Sequence, residues 1–391
     1  MQVPVLLLGG INVARAFGLA GIPVVVLSPD PDEPALASRY CCEGEVIAPL
    51  DDEASVLASL ERVGRRLARR FGTRVPLACG NDDFLRFAYA HRERLGQHYR
   101  LPLVDADLGA ALLDKAKFGE LARKLDLPVP RILSWTGEDT DPLDRFEGPV
   151  IVKPKVKFRW EDSPLLASLF GGEAKAAIFE DGRAAKDHPA LRQHHADLAF
   201  QQYIPGDDRQ LRCFDGVCDD GSRLLAGYTG RKVRTFPPLV GDSSCIELTH
   251  EPELVRLGGD VARRLGLRGI FNMDFKQDPR DGRFHLLEVN ARYNFWLYVG
   301  ARNGINLARV MYDWHLRRAV PGPFAHGTRV RWVDMKLDYR AFRSLAKRGE
   351  IGWTRWLASL APPTVHSLFS WRDPYPWLWT VGRKVARRVR G

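Results

Sequence analysis

One stretch, Phe271–Arg292 (FNMDFKQDPRDGRFHLLEVNAR), limits the architectures open to this chain more than any other. Phe271–Phe275 is a short β-rich run, Asp281-Gly282 is a hairpin turn signal, and Phe284–Val289 is a second run. Side chains on a strand alternate between faces, so Glu288, Asn290 and, if the strand continues, Arg292 point the same way. Asp274 stands on the facing strand, fourteen residues before Glu288, and a hairpin folds the two together. Two carboxylates and an amide oxygen converging on one spot make a hard-oxygen site. Mg²⁺ takes such donors when it also holds phosphates, and Mn²⁺ accepts the same set. A solvated hairpin face is the bland alternative, since acids and amides are common there.

At 391 residues the chain exceeds what one core supports, so two or three domains are expected. No apolar run approaches the roughly 20 residues that span a bilayer. The opening MQVPVLLLGG lacks a basic region and a small-residue cleavage site, and reads as a first strand. Six cysteines (41, 42, 79, 213, 218 and 245) show no CxxC pair and no metal spacing, which fits reduced thiols in a cytoplasmic protein. The net charge of +10 does not name a partner. Nothing in the pattern calls for nucleic acid.

Taken in order, Val5–Leu8, Gly9-Gly10, a helical stretch from Val13 and Val24–Leu27 read as β-loop-α-β, the start of an open parallel sheet. Gly9-Gly10 is neither GxGxxG nor a P-loop, and a tight strand-to-helix turn explains it equally well. Helix 53–71, strand Val75–Cys79 and a helix to about Leu95 follow, with a linker at Asp105–Asp107. Residues 108–125 read as one helix carrying Asp114-Lys115-x-x-Phe118. Leu127-Pro128-Val129-Pro130 then forces an extended chain, and Pro149–Pro154 (PVIVKP) forms a strand closed by Lys153. Either lysine alone is more plausibly a surface residue; their order speaks for a pair of cations aimed at phosphates.

Helix-DK-F, VPxP, VIVKP, the run Ala199–Asp208 (AFQQYIPGDD) and Glu-x-Asn-x-Arg closing a hairpin resemble, in this order, the ATP-grasp ligases. GRKVRTFPP (230–238) is closest to a branch of carboxylate–amine ligases, or ATP-dependent carboligases. The resemblance covers roughly residues 1–318. It implies an N-terminal α/β domain with an open parallel sheet (1–106), then an α+β ATP-grasp fold of two subdomains (107–318), then a C-terminal extension (319–391).

The resemblance also implies site residues. Lys115 and Lys153 would contact the α- and β-phosphates. Gln201 and the backbone of Gln202, Tyr203 and Ile204 would meet the adenine, and Asp208, or its neighbour Asp207, the ribose hydroxyls. Asp274, Glu288 and Asn290 would hold Mg²⁺. Lys232 and Arg292 are the candidates for stabilising an acyl phosphate and the tetrahedral intermediate that follows, a structural salt bridge being the competing reading of Arg292; strand alternation sets Arg234 on the face of Lys232. Residues 293–296 and 303–306 would line the site. The phosphate-covering loop departs from the family pattern, having only Gly171-Gly172 together.

The implied activity is ATP-dependent joining of a small carboxylate to an amine (or a thiol), with ADP and phosphate released. A catalytically silent ATP-binding or regulatory protein, and a nucleotide-dependent oxidoreductase, are the other classes; the missing glycine fingerprint argues against the last. A homodimer is a fair expectation. The tail is different. Trp371, Trp377 and Trp379 precede the basic run 383–390, a pattern that allows peripheral membrane contact as well as packing on the body.

Overall fold

The computed structural model describes residues 2–101, 103–133, 135, 142–143, 146–155, 176–320, 326–361 and 363–390. The Gly171-Gly172 loop lies outside the described residues.

The first hundred residues form a five-stranded parallel sheet. Its strands are β1 (Val5–Leu8), β2 (Val24–Ser28), β3 (Cys41–Val46), β4 (Val75–Cys79) and β5 (Tyr99–Arg100), in the order β3-β2-β1-β4-β5. β1, β2 and β4 are buried throughout, because helices such as Ile11–Leu19 and Glu53–Phe71 cover the faces of a parallel sheet and leave no side for polar residues. At the end of β1, Gly9 and Gly10 take positive φ angles of 70° and 101°. The carboxylate of Glu33 bonds the Gly10 amide there and accepts from Ala35, and burial pushes its pKa up. The loop between β1 and its helix is therefore held by a carboxylate of the protein itself.

Two antiparallel sheets follow. The smaller contains β6 (Ile132–Leu133), β7 (Val150–Pro154), β8 (Ala177–Phe179) and β9 (Leu198–Gln202), ordered β6-β9-β7-β8. The larger has seven strands: β10 (Leu211–Cys218), β11 (Leu224–Phe236), β12 (Asp242–Thr249), β13 (Gly269–Gln277), β14 (Phe284–Asn290), β15 (Arg331–Val333) and β16 (Thr364–His366). Their order is β14-β13-β10-β11-β12-β15-β16, and only the β15–β16 pair is parallel. Two strands of the segment 319–391 thus extend the central sheet. The helix Pro252–Leu265 lies so close to β10 that a Cβ on Gly258 would stand 2.2 Å from the Phe214 ring.

The fold class expected from the sequence is the one observed. Two helices differ from the expectation. The run to Leu95 breaks at His91, and the run 108–125 divides into Ala106–Leu112 and Lys115–Lys124. The second break has a clear cause. Asp114 accepts from the amides of Ala116 and Lys117, starting a new helix, and the Lys115 amide donates to Lys155 O at 3.0 Å just beyond β7.

Candidate active site

A cavity of about 360 Å³ opens between the two antiparallel sheets, lined from β7 and β9 on one side and β11–β14 on the other. The bond between Lys115 and the chain beyond β7 explains how two lysines 38 positions apart both reach it. Burial first, and then the neighbouring Lys115 cation, pulls the Lys153 pKa down to about 8; Glu288 and Asp274 oppose this. Two ammonium groups in a low-dielectric pocket repel each other, and a bound anion would offset that repulsion.

The hairpin sits as its alternation requires. In the β13–β14 register Asp274 faces Glu288 and Asn272 faces Asn290, and all four line the cavity. The turn is longer than a two-residue hairpin: residues 278–283 connect the strands, with Gly282 at φ 76° and its amide bonded to Asp278 O at 2.8 Å.

Burial, reinforced by Glu288, raises the Asp274 pKa, while Lys232 works the other way. Lys232 Nζ donates to Asp274 Oδ2 at 2.6 Å. Burial opposes the Lys232 cation, yet Asp274, with Cys213 and Glu288, outweighs it and pushes the pKa up. The other oxygen, Asp274 Oδ1, is buried with no hydrogen-bond partner. Such an orphan in a native-like site asks for a ligand. Among the described residues no group of three or more His, Cys, Asp or Glu is placed to hold a metal ion. Two carboxylates and an amide make an incomplete oxygen shell, which suits Mg²⁺, an ion that keeps waters and takes phosphate oxygens. The donor set fits.

Arg292 lines the same cavity, and its guanidinium bonds both oxygens of Asp82 and, at 3.3 Å, Asn290 Oδ1. Asp82 comes from the first turn of the helix after β4, so the parallel-sheet region supplies part of this wall. Past the hairpin, Asn294, Phe295 and Trp296 line the cavity, with Asn294 Nδ2 and Trp296 Nε1 both donating to the buried Asp215 carboxylate of β10. The other expected lining residues do something else. Tyr293 packs on Phe17, Asn303 donates to Gly327 O, and Asn306 donates to Ala16 O.

On the β9 side, Gln201, Gln202, Tyr203 and Ile204 all line the cavity, beside Ile151, Leu211 and Leu239. The Gln202 and Tyr203 amides are already given to Arg131 O and Pro149 O, so an adenine edge would have to meet the Ile204 amide and nearby carbonyls. Asp208 is not among the lining residues. Its carboxylate accepts from Thr235 N at 2.6 Å, Thr235 Oγ1 at 2.9 Å and Leu239 N at 2.9 Å, leaving little capacity for ribose hydroxyls. Asp207 is likewise engaged, with Arg209. Arg234 also turns away. A register shift follows Lys232 in the β11–β12 pair, and Arg234 makes a two-pronged bond with buried Asp338.

Lys276, like Asp82 and Asn272, is a cavity residue that the sequence did not single out. Its ammonium lies 4.2 Å from the Tyr203 ring centre, donates to Tyr203 Oη at 3.1 Å and Gly206 O at 3.0 Å, and burial lowers its pKa to about 8. Alternation from Asn272 through Asp274 was the signal available for it.

The family described as "ATP-grasp in the biosynthetic pathway with Ter operon" matches residues 220–336. The D-aspartate ligase of Enterococcus faecium (strain Aus0004) is 27% identical over 327 residues, covering 80% of this chain and 76% of that one. Among solved structures, a biotin carboxylase–β,γ-ATP complex from Campylobacter jejuni superposes with a TM-score of 0.60 at 14% identity, over 82% of this chain and 72% of that one. An L-amino acid ligase from Bacillus licheniformis gives 0.57 at 15% identity, over 81% and 74%. At these identities the structures speak for a shared fold.

Proposed function

We propose that this chain, which belongs to the ATP-grasp superfamily, is an ATP-dependent ligase that joins a small-molecule carboxylate to an amine through an acyl phosphate. The observation that carries the reading is a cavity that brings together the ammonium groups of Lys115, Lys153 and Lys276 and the Asp274/Glu288/Asn290 oxygens.

In this reading Lys115 and Lys153 hold the α- and β-phosphates of ATP, and the apolar wall of Ile151, Ile204 and Leu211 takes the base. Asp274, Glu288 and Asn290 would hold Mg²⁺, which when bound offsets phosphate charge during transfer. A carboxylate oxygen attacks the γ-phosphorus, and the bond from that phosphorus to the β–γ bridging oxygen breaks to leave ADP. The amine nitrogen then adds to the acyl carbon, and the tetrahedral adduct gives up a nitrogen proton and expels phosphate, which leaves as hydrogen phosphate. Arg292 and Lys232 stabilise the charge that develops on the acyl phosphate and the adduct. In the structure each is already oriented by an acid, Asp82 and Asp274 respectively, so their charge is preorganised.

Amino acids are the first substrates to offer as acid and as amine, D-aspartate among them, given the ligases the chain is similar to. The test is ADP release over a matrix of carboxylates and amines, with mass spectrometry of the products. With ¹⁸O-carboxylate the label should appear in inorganic phosphate. Label in AMP with pyrophosphate as coproduct would overturn the reading. ATP binding with no ADP release across the matrix would favour a silent nucleotide-binding protein.

A further inference from the structure

The charge of this chain is unevenly placed. Residues 319–391 hold fourteen Lys and Arg against four Asp and Glu, which is the whole net charge of +10; residues 1–318 are neutral. Exposed apolar side chains are placed the same way. Of fourteen exposed large hydrophobic residues among those described, ten lie between Met335 and Val385.

The helix Tyr375–Arg390 shows how the two are arranged. Asp32, beside the turn Pro34–Ala37 at the edge of the parallel-sheet region, bonds Arg383 and Arg387. Pro376, two turns before Arg383, is buried, so 376, 383 and 387 mark the docked face. At 3.6 residues per turn, Leu378, Val381 and Val385 fall on the opposite face. They are 53%, 41% and 56% exposed, and Lys384 flanks them. Just before the helix, Trp371 is 87% exposed, touching Phe369. The helix Trp353–Ser359 repeats the pattern with Trp353 and Leu357 exposed at i and i+4. Asp373, at the foot of the tail helix, is fully buried on Arg15, so this surface is fixed to the body.

We propose that the C-terminal extension docks the enzyme on an anionic lipid bilayer surface, with Leu378, Val381, Val385 and Trp371 entering the headgroup layer. An apolar stripe with aromatic residues and flanking cations is the composition that lies in such an interface. The cations alone would suit a nucleic acid equally, but a phosphodiester backbone offers nothing to a stripe of leucine, valine and tryptophan. The attachment is peripheral, since no helix among the described residues is long and apolar enough to cross a membrane. It is independent of the ligase chemistry.

The test is flotation of the full chain with vesicles of phosphatidylglycerol and phosphatidylcholine, beside vesicles of phosphatidylcholine alone. Binding should be at least about tenfold tighter to the anionic vesicles and should weaken with salt. The double substitution Leu378→Glu and Val385→Glu should reduce it at least about tenfold, with the far-UV circular dichroism spectrum and thermal midpoint unchanged, because both side chains already face water. Equal binding to both vesicle types, binding insensitive to the double substitution, or retention of duplex DNA without retention on vesicles would each overturn the proposal.

Discussion

Glu288 faces water on one side and Asp274 on the other, which makes it the cleanest residue at which to test the metal. Glu288→Gln keeps the shape and removes the charge, so ADP formation should fall on the order of 10²–10³-fold with an unchanged thermal midpoint. Near-normal turnover would sink the assignment. Lys153 carries a second expectation. Its ammonium, pulled down to about 8 by burial and by Lys115, loses its proton as pH rises through that value, and with it the attraction for phosphate. kcat/KM for ATP should therefore decline above about pH 8. Lys153→Arg should push that decline to higher pH, because a guanidinium stays charged. A decline unmoved in Lys153→Arg would assign it elsewhere, with Lys276 next in line since its pKa is also about 8. Lys115 and Lys153 were legible because each closes or opens an element in a fixed order. Lys276 was not, because one lysine on an alternating strand resembles any surface lysine until the facing Tyr203 is known.

At the scale of elements, hairpins and strands were read from period and turn residues, and the residues that join them were not. Asp208 is the example. Its position after the β9 stretch suggested a ribose ligand, yet it splints the end of β11 to the segment that begins at Leu239, a wall of the cavity. The partners lie 27 and 31 residues away, beyond any local pattern. Asp208→Ala leaves the Thr235 and Leu239 amides without their acceptor, and should cost about 2–3 kcal/mol in denaturant titration. A ribose ligand would behave oppositely, with the ATP dissociation constant rising and stability holding. Arg234 illustrates the same limit. Strict alternation sets it beside Lys232, and the register shift between them sends one to the cavity and the other to Asp338.

Over the whole molecule, the two ends of the chain are tied by a contact that nothing local announces. Arg15, in the middle of the first helix, and Asp373, ahead of the last, are both fully buried and bonded at 3.0 Å, 358 residues apart. Arg15 also donates to the carbonyls of Ser367, Leu368 and Asp373, while Asp373 accepts from Ser38 Oγ at 2.8 Å and the Arg39 amide at 2.9 Å. In sequence, an arginine in an apolar helix reads as an outward-facing residue, so the packing of the extension on the parallel-sheet region could not be derived. Its energetics can. Asp373→Asn keeps the volume and removes the negative charge, leaving a buried guanidinium on neutral acceptors. Breaking one side of a buried pair costs about 3–5 kcal/mol. Arg383 and Arg387 meet Asp32 at the surface, so Arg383→Ala should cost about 1 kcal/mol or less. Urea titrations followed by tryptophan fluorescence and by far-UV circular dichroism compare the two. If the extension is part of the body, both probes of Asp373→Asn shift together to lower urea, well beyond the shift of Arg383→Ala. If it is an appendage, the fluorescence transition moves alone and the circular dichroism midpoint stays, and the tie between the termini is then too weak to hold the lipid-facing stripe at a fixed angle.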